Sequence, residues 1–229
     1  NLTINPTLMP NFPFNIERDF VPVTMLAKAP NVLVASAQAK LGSVRELMAQ
    51  AKARPGTLSY ASPGIGSGLH LAGELFKQQT DTDLLHVPYK GTGPALNDVL
   101  GGTVPLMFSN LPATLPHIKS GKVRALALVG TVRSKVLPDV PTFGEAGVPK
   151  LDTSGWFGML APAGTPRYII DKIAADTAQI LALPEVVDSL RGQGLEPTGL
   201  GPDAFARFLH DDLLRWKSLT TELGIKADN

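Results

Sequence analysis

The 229-residue chain contains no cysteine. That excludes disulfide cross-links and thiolate chemistry, and it suits a bacterial periplasm without proving one. Charge of one sign is also scarce: 21 Lys and Arg stand against 20 Asp and Glu. No basic run relieves that balance, so the composition offers nothing to a nucleic acid. No stretch approaches the roughly 20 apolar residues of a membrane-spanning helix. No signal peptide is visible either, but the chain opens at Asn1 rather than Met, so this says nothing about export. What remains is the composition of an ordinary globular protein, 44% hydrophobic and 18% charged, with length for one large domain or two small ones.

The first 20 residues are turn-rich, with Pro6, Pro10 and Pro13. "VPVTMLA" (21–27) and "NVLVASA" (31–37) read as strands split by Pro30. Ser43 and Glu46 form a capping box before the helix "VRELMAQAKA". Strand and helix then alternate: "LSYAS", a helix over about 69–79, "LLHVPY", a helix near 95–100, "VPLMFSN", a short helix in "PATLPHIKSG" and "VRALALVG". This alternation predicts an α/β protein with a parallel sheet. Residues 131–153 break the rhythm and read as a long connection with one helical turn near 142–146. "GWFGMLA" (155–161) reads as a lone strand, and helices opened by Thr165-Pro166, Pro184 and Pro202 fill the rest.

"YASPGIGSGLHLAGELF" (60–76) places Gly64, Gly66 and Gly68 around Ser67, just before a helix. Glycines permit close approach, and the first amides of a helix lack internal partners. Such a loop suits a small anion. It matches neither the dinucleotide fingerprint, the P-loop nor the nucleophile elbow. A carboxylate is therefore the better guest, the alternative being a plain glycine turn. Ser67 and His70 are three apart, but a nucleophile–base pair needs a third orienting group. None is identifiable, which favours a capping or packing role for His70. His86, His117 and His210 stand isolated, and no spacing supports a metal site. "HDDLLRWK" (210–217) reads as a solvated helix face around Leu and Trp core positions.

"HVPYKGTGPA" (86–95) is a second loop of the same kind. Tyr89 can donate its hydroxyl, Lys90 supplies charge, and Gly91 and Gly93 admit close approach. Alone it reads equally as an ordinary turn; two glycine-rich loops, both opening helices, favour a shared site at the carboxyl ends of strands. Ser109 and Asn110 end the next strand at the same edge.

"YASPGIGSGLHLAGELFK", "HVPYKGTGPALNDVLGGTVPLMFSNLPATLPHIKSGKVRALAL", "LPDVPTFGEAGVP" and "WFGMLAPAGTP" strongly resemble the Bug family, the periplasmic solute-binding proteins of tripartite tricarboxylate transporters. The likeness covers nearly the whole chain, and the order of motifs is family-specific. It implies a type II periplasmic binding fold: two α/β domains with a ligand cleft between them. Residues 31–150 would form one domain, and residues 1–30 with 151–229 the other. It implies a receptor in the periplasm, with a small carboxylate or amino-acid ligand and the transporter's membrane subunits as partners. It implies no catalysis, cofactor, metal, nucleic acid or membrane span.

By position, the resemblance carries ligand contact to Gly64, Ile65, Gly66, Ser67 and His70, then to Tyr89, Lys90 and Gly91, and at the third strand end to Ser109 and Asn110. Many relatives have Asp where this chain has Ser109, and often Thr-His-Ala where it has Asn1, Leu2 and Thr3. Relatives also carry an N-terminal segment with a first strand and a "PGGG"-type loop gripping a ligand carboxylate. The resemblance thus implies a first domain lacking its N-terminal strands, weak or no ligand binding by residues 1–229, and a partner chain over the exposed sheet edges. Two other functions are weighed against the receptor. A hydrolase would act through Ser67, and a regulatory effector domain would need a helix-turn-helix that the sequence does not contain.

Overall fold

The computed structural model describes residues 2–9, 11–149, 151 and 153–225. Asn1, one of the three positions compared with the Thr-His-Ala of relatives, lies outside the described residues. The turn-rich start contains two single-turn helices, α1 (Asn5–Leu8) and α2 (Ile16–Asp19), ahead of β1 (Phe20–Ala29). Then follow β2 (Asn31–Ser36), a 3-10 turn at Ala37–Ala39, α3 (Val44–Ala53), β3 (Ser59–Ser62) and α4 (Gly68–Thr80). β4 (Leu85–Pro88), α5 (Thr92–Leu100), β5 (Leu106–Asn110), α6 (Leu111–Lys119) and β6 (Val123–Val129) continue the alternation. The last part holds β7 (Gly155–Pro162), α7 (Arg167–Leu181), α8 (Pro184–Gly192), β8 (Glu196–Leu200) and α9 (Pro202–Leu223).

The chain divides into two compact units, and it passes from one to the other twice. One unit runs from Pro30 to Gly155; the other joins the segment up to Ala29 to the segment from Trp156 onward.

The Pro30–Gly155 unit is built on a five-stranded sheet of order β4-β3-β5-β2-β6. β3 runs parallel to β4 and β5, but β2 runs antiparallel to both β5 and β6. The sheet is therefore mixed, which corrects the parallel sheet expected from the alternation. β2 follows β1, a strand of the other sheet, so the strand–helix alternation that begins at α3 does not set its direction. All six β2 residues are buried, the pattern of a strand covered on both faces. Val32 and Val34 share one face with Ala61, Val99, Met107 and Leu115. On the other strand positions, Tyr60 and Phe108 meet edge to face, and Phe108 contacts Phe76 and Phe143.

The connection after β6 is more ordered than its sequence suggests. It runs back beside β6, with hydrogen bonds from Leu128 N–H to the Pro141 carbonyl and from Phe143 N–H to the Leu128 carbonyl. Val136, Leu137 and Val140 close over one apolar cluster, while Phe143 inserts among the aromatic rings. The capping box before α3 is modified in detail. Ser43 accepts from Glu46 N–H, but the Glu46 carboxylate takes the amide of Gly42.

The other unit has a three-stranded sheet of order β7-β1-β8. β7 is an edge of that sheet and not a lone strand, and β8 is a strand where the sequence pattern predicts only helices. "EPTGL" carries Pro and Gly and no alternating apolar pattern, so only its antiparallel pairing with β1 reveals it. Val23 packs with Ile170 and Ala174 of α7. Asp212 is also a correction: it is only 3% exposed, not on a solvated face. It accepts from the Thr3 hydroxyl at 2.7 Å and from the indoles of Trp156 and Trp216 at 3.0 and 3.1 Å.

Candidate functional site

The parallel direction of β3, β4 and β5 brings their carboxyl ends to one edge of the sheet, and each end leads into a helix. α4, α5 and α6 thus present their N-termini there, with the partial positive charge of each helix start. The two glycine-rich loops are bonded to each other. Tyr89 N–H donates to the Ser62 carbonyl at 3.0 Å, and Gly91 N–H donates to the Pro63 carbonyl at 2.8 Å. Gly64 sits at φ 151°, and a Cβ there would lie 3.2 Å from the Tyr89 carbonyl oxygen. A side chain at residue 64 would be strained by that φ, and the Tyr89 carbonyl would have to give by a few tenths of an ångström.

The start of α4 is capped locally. Ser67 accepts from His70 N–H at 3.2 Å, and its hydroxyl donates to the Gly64 carbonyl at 2.8 Å. The amides of Gly68 and Leu69 have no hydrogen-bond partner among the described residues. The same holds for Thr92 and Gly93 at the start of α5, whose N-cap Gly91 has no side chain to cap them. At the start of α6, the partly buried Asn110 side chain makes no cap hydrogen bond. Ile65 and Lys90 are exposed beside these amides. This arrangement can hold an anion through backbone N–H groups.

Two of the expected site side chains already have partners within the unit. The Tyr89 hydroxyl is already committed, donating to Asp98 at 2.5 Å. Burial and that carboxylate push the phenol up to about 12. Ser109 has no exposed surface, because its strand is covered on both sides; its hydroxyl meets the Asn110 carbonyl at 3.4 Å. Ser67 and His70 do not form a nucleophile–base pair. The contact between them uses the His70 backbone amide, while the ring nitrogen Nδ1 accepts from Gly66 N–H at 3.1 Å. A hydrolase through Ser67 therefore lacks its base.

The structure also assembles a polar cluster that the sequence did not announce. His86 is not isolated: its Nε2 lies 2.7 Å from Ser62 Oγ. Its ring stacks on His70, with centroids 4.0 Å apart, and on Tyr60 at 4.9 Å. The Tyr60 hydroxyl donates to Glu74 at 2.7 Å, and Lys77 donates to both Glu74 oxygens. Burial lowers the pKa of both histidines, with Glu74 opposing it; His86 falls to about 4. For Glu74 burial acts upward, but Lys77 and Tyr60 outweigh it and hold the carboxyl below its usual range. Only the His70–Glu74–Lys77 spacing along one helix face was legible beforehand. The register of Tyr60 opposite His86 comes from strand pairing. No group of three metal-ligating side chains occurs among the described residues, and no helix there is long and apolar enough to cross a membrane.

Comparison with known proteins agrees with this architecture. BugT of Bordetella pertussis is 40% identical over 225 residues, which are 98% of this chain and 69% of BugT. The adipate-bound structure of Rpa4515 from R. palustris superposes with a TM-score of 0.92 at 34% identity, covering 98% of this chain and 76% of that one. Malate-bound MatC from Rhodopseudomonas palustris gives a TM-score of 0.83 at 30% identity, over 94% of this chain and 74% of MatC. The family model described as tripartite tricarboxylate transporter family receptor matches residues 1–225. That group comprises periplasmic solute-binding receptors and is not an enzyme class. With its two α/β units and with sequence likeness along its length, the chain belongs to the tripartite tricarboxylate transporter receptor family.

Proposed function

We propose that this receptor captures a small carboxylate at the carboxyl edge of β3, β4 and β5 and presents it, in the periplasm, to membrane subunits of its transporter. The observation that carries the reading is the meeting of two glycine loops whose helix-start amides, at Gly68, Leu69, Thr92 and Gly93, are unpartnered among the described residues. Backbone N–H groups and helix dipoles hold a carboxylate without the lysine–phosphate chemistry of a nucleotide site. Adipate and malate in the two relatives are dicarboxylates of this size class. Binding is proposed without bond making, since neither loop offers an activated nucleophile.

The test is a thermal-shift titration of the protein expressed from its gene, against C4 to C8 dicarboxylates, citrate, amino acids and aromatic acids. Ligand binding to the native state raises the melting temperature by mass action. A concentration-dependent rise with one acid, left chemically unchanged by NMR, supports the reading. A rise with none, or consumption of the acid, overturns it.

A further inference from the structure

The glycine loop is held from beneath by a titratable side chain. Gly66 N–H donates to His70 Nδ1 at 3.1 Å, so in the neutral ring the proton must sit on Nε2. A second proton can enter only at Nδ1. It would set two N–H groups face to face across that distance, and the loop bond would have to break. His86 differs. Its partner is the Ser62 hydroxyl, which can reverse its role and accept, so gain of a proton there leaves that contact intact.

We propose that His70 is a positioning residue that couples protonation to the shape of the carboxylate loop: the neutral ring holds Gly66 in place, and gain of a proton releases it and weakens ligand capture. The proposal rests on the carboxylate-site reading above. Every charged or titratable group facing the ring bears on it. From α4 itself, Glu74 Oε1 lies 4.0 Å from Nε2, and Lys77 is bound to that carboxylate. From β4, His86 stacks on the ring. From β3, the Tyr60 hydroxyl meets both Glu74 and the His70 carbonyl. Glu74 favours the charged ring, while burial, the outweighing influence, disfavours it and Lys77 adds to that. The switch therefore lies on the acid side of the ordinary histidine range. A charged imidazole near a carboxylate ligand would by attraction alone strengthen binding on acidification; loss of the loop bond predicts the reverse sign.

Two measurements decide it. Without any ligand, nitrogen-15 NMR follows the His70 ring and the Gly66 amide as pH falls. The expected result is an Nε2–H tautomer at neutral pH and a Gly66 amide shift with the same midpoint as the ring. A Gly66 amide that ignores the ring, or a ring that stays neutral until acid unfolding, overturns the proposal. With adipate as probe, wild type is compared with His70→Asn, whose side-chain oxygen can accept from Gly66 N–H but does not titrate. Wild type is expected to lose about threefold or more affinity relative to H70N over the His70 titration. Equal losses, or wild-type binding that tightens relative to H70N, overturn the coupling. If adipate fails to bind either protein at neutral pH, the choice of carboxylate is at fault, and the ring–loop coupling stands or falls on the NMR result.

Discussion

The ring of Tyr60 occupies the space that a side chain on residue 73 would need. A Cβ built on Gly73 would lie 2.3 Å from two Tyr60 ring carbons and 2.6 Å from the hydroxyl oxygen. Tyr60 has no exposed surface, and the absence of a Cβ lets α4 settle against β3 with the Tyr60–Glu74 bond in place.

Gly73→Ala should therefore destabilise the protein by about 2 kcal/mol or more, through overpacking in a closed interface. The gain in helix propensity, ~1 kcal/mol, has the opposite sign and is smaller. Denaturant unfolding checks this; a variant as stable as wild type would mean that Tyr60 can move aside.

Asp212 ties Thr3, β7 and α9 together by accepting from Thr3, Trp156 and Trp216, and it pairs with Arg215. Asp212→Ala leaves the buried indole N–H of Trp216, the part-buried one of Trp156 and the Thr3 hydroxyl without this acceptor. The expected loss is about 3 kcal/mol, read as a lower unfolding midpoint. Chemical-shift changes should cluster around Trp156 and Trp216.

Burial sets the pKa of His86 at about 4 in the folded chain, against an ordinary 6.5. The unfolded state binds the proton more readily, so stability rises with pH across this interval. The contribution is complete above about 6.5 and is lost as pH falls towards about 4. Melting temperatures measured across that window should decline less for His86→Gln than for wild type. Parallel declines would show that other groups govern the acid limb.

Tyr89→Phe removes the hydroxyl that donates to Asp98. With that proton held by Asp98, carboxylate affinity should change by less than about threefold, while stability falls by ~1 kcal/mol. Calorimetry and unfolding on the same preparation separate the two. A tenfold loss of affinity with unchanged stability would return Tyr89 to the ligand.

Local rules made much of this chain legible. Ser43 and Ser67 announce α3 and α4, the prolines at 166, 184 and 202 announce α7 to α9, and the glycine loops mark the helix starts of the candidate site. These signals depend on residues a few positions apart, and capping or φ preference acts at that range. The family resemblance drew on the same stretches.

Tertiary structure decided the remainder, because it depends on which distant segments become neighbours. β2 runs against β5 and β6, a direction visible only in their pairing, and β8 is a strand only because β1 supplies the partner. Strand register places His86 opposite Tyr60 and beside His70, turning isolated residues into one buried cluster. The partners of Tyr89 and Asp212 and the burial of Ser109 come from the same source. A side chain's partner and its exposure are set by packing, and a polar group taken from water must bond to whatever the fold puts beside it.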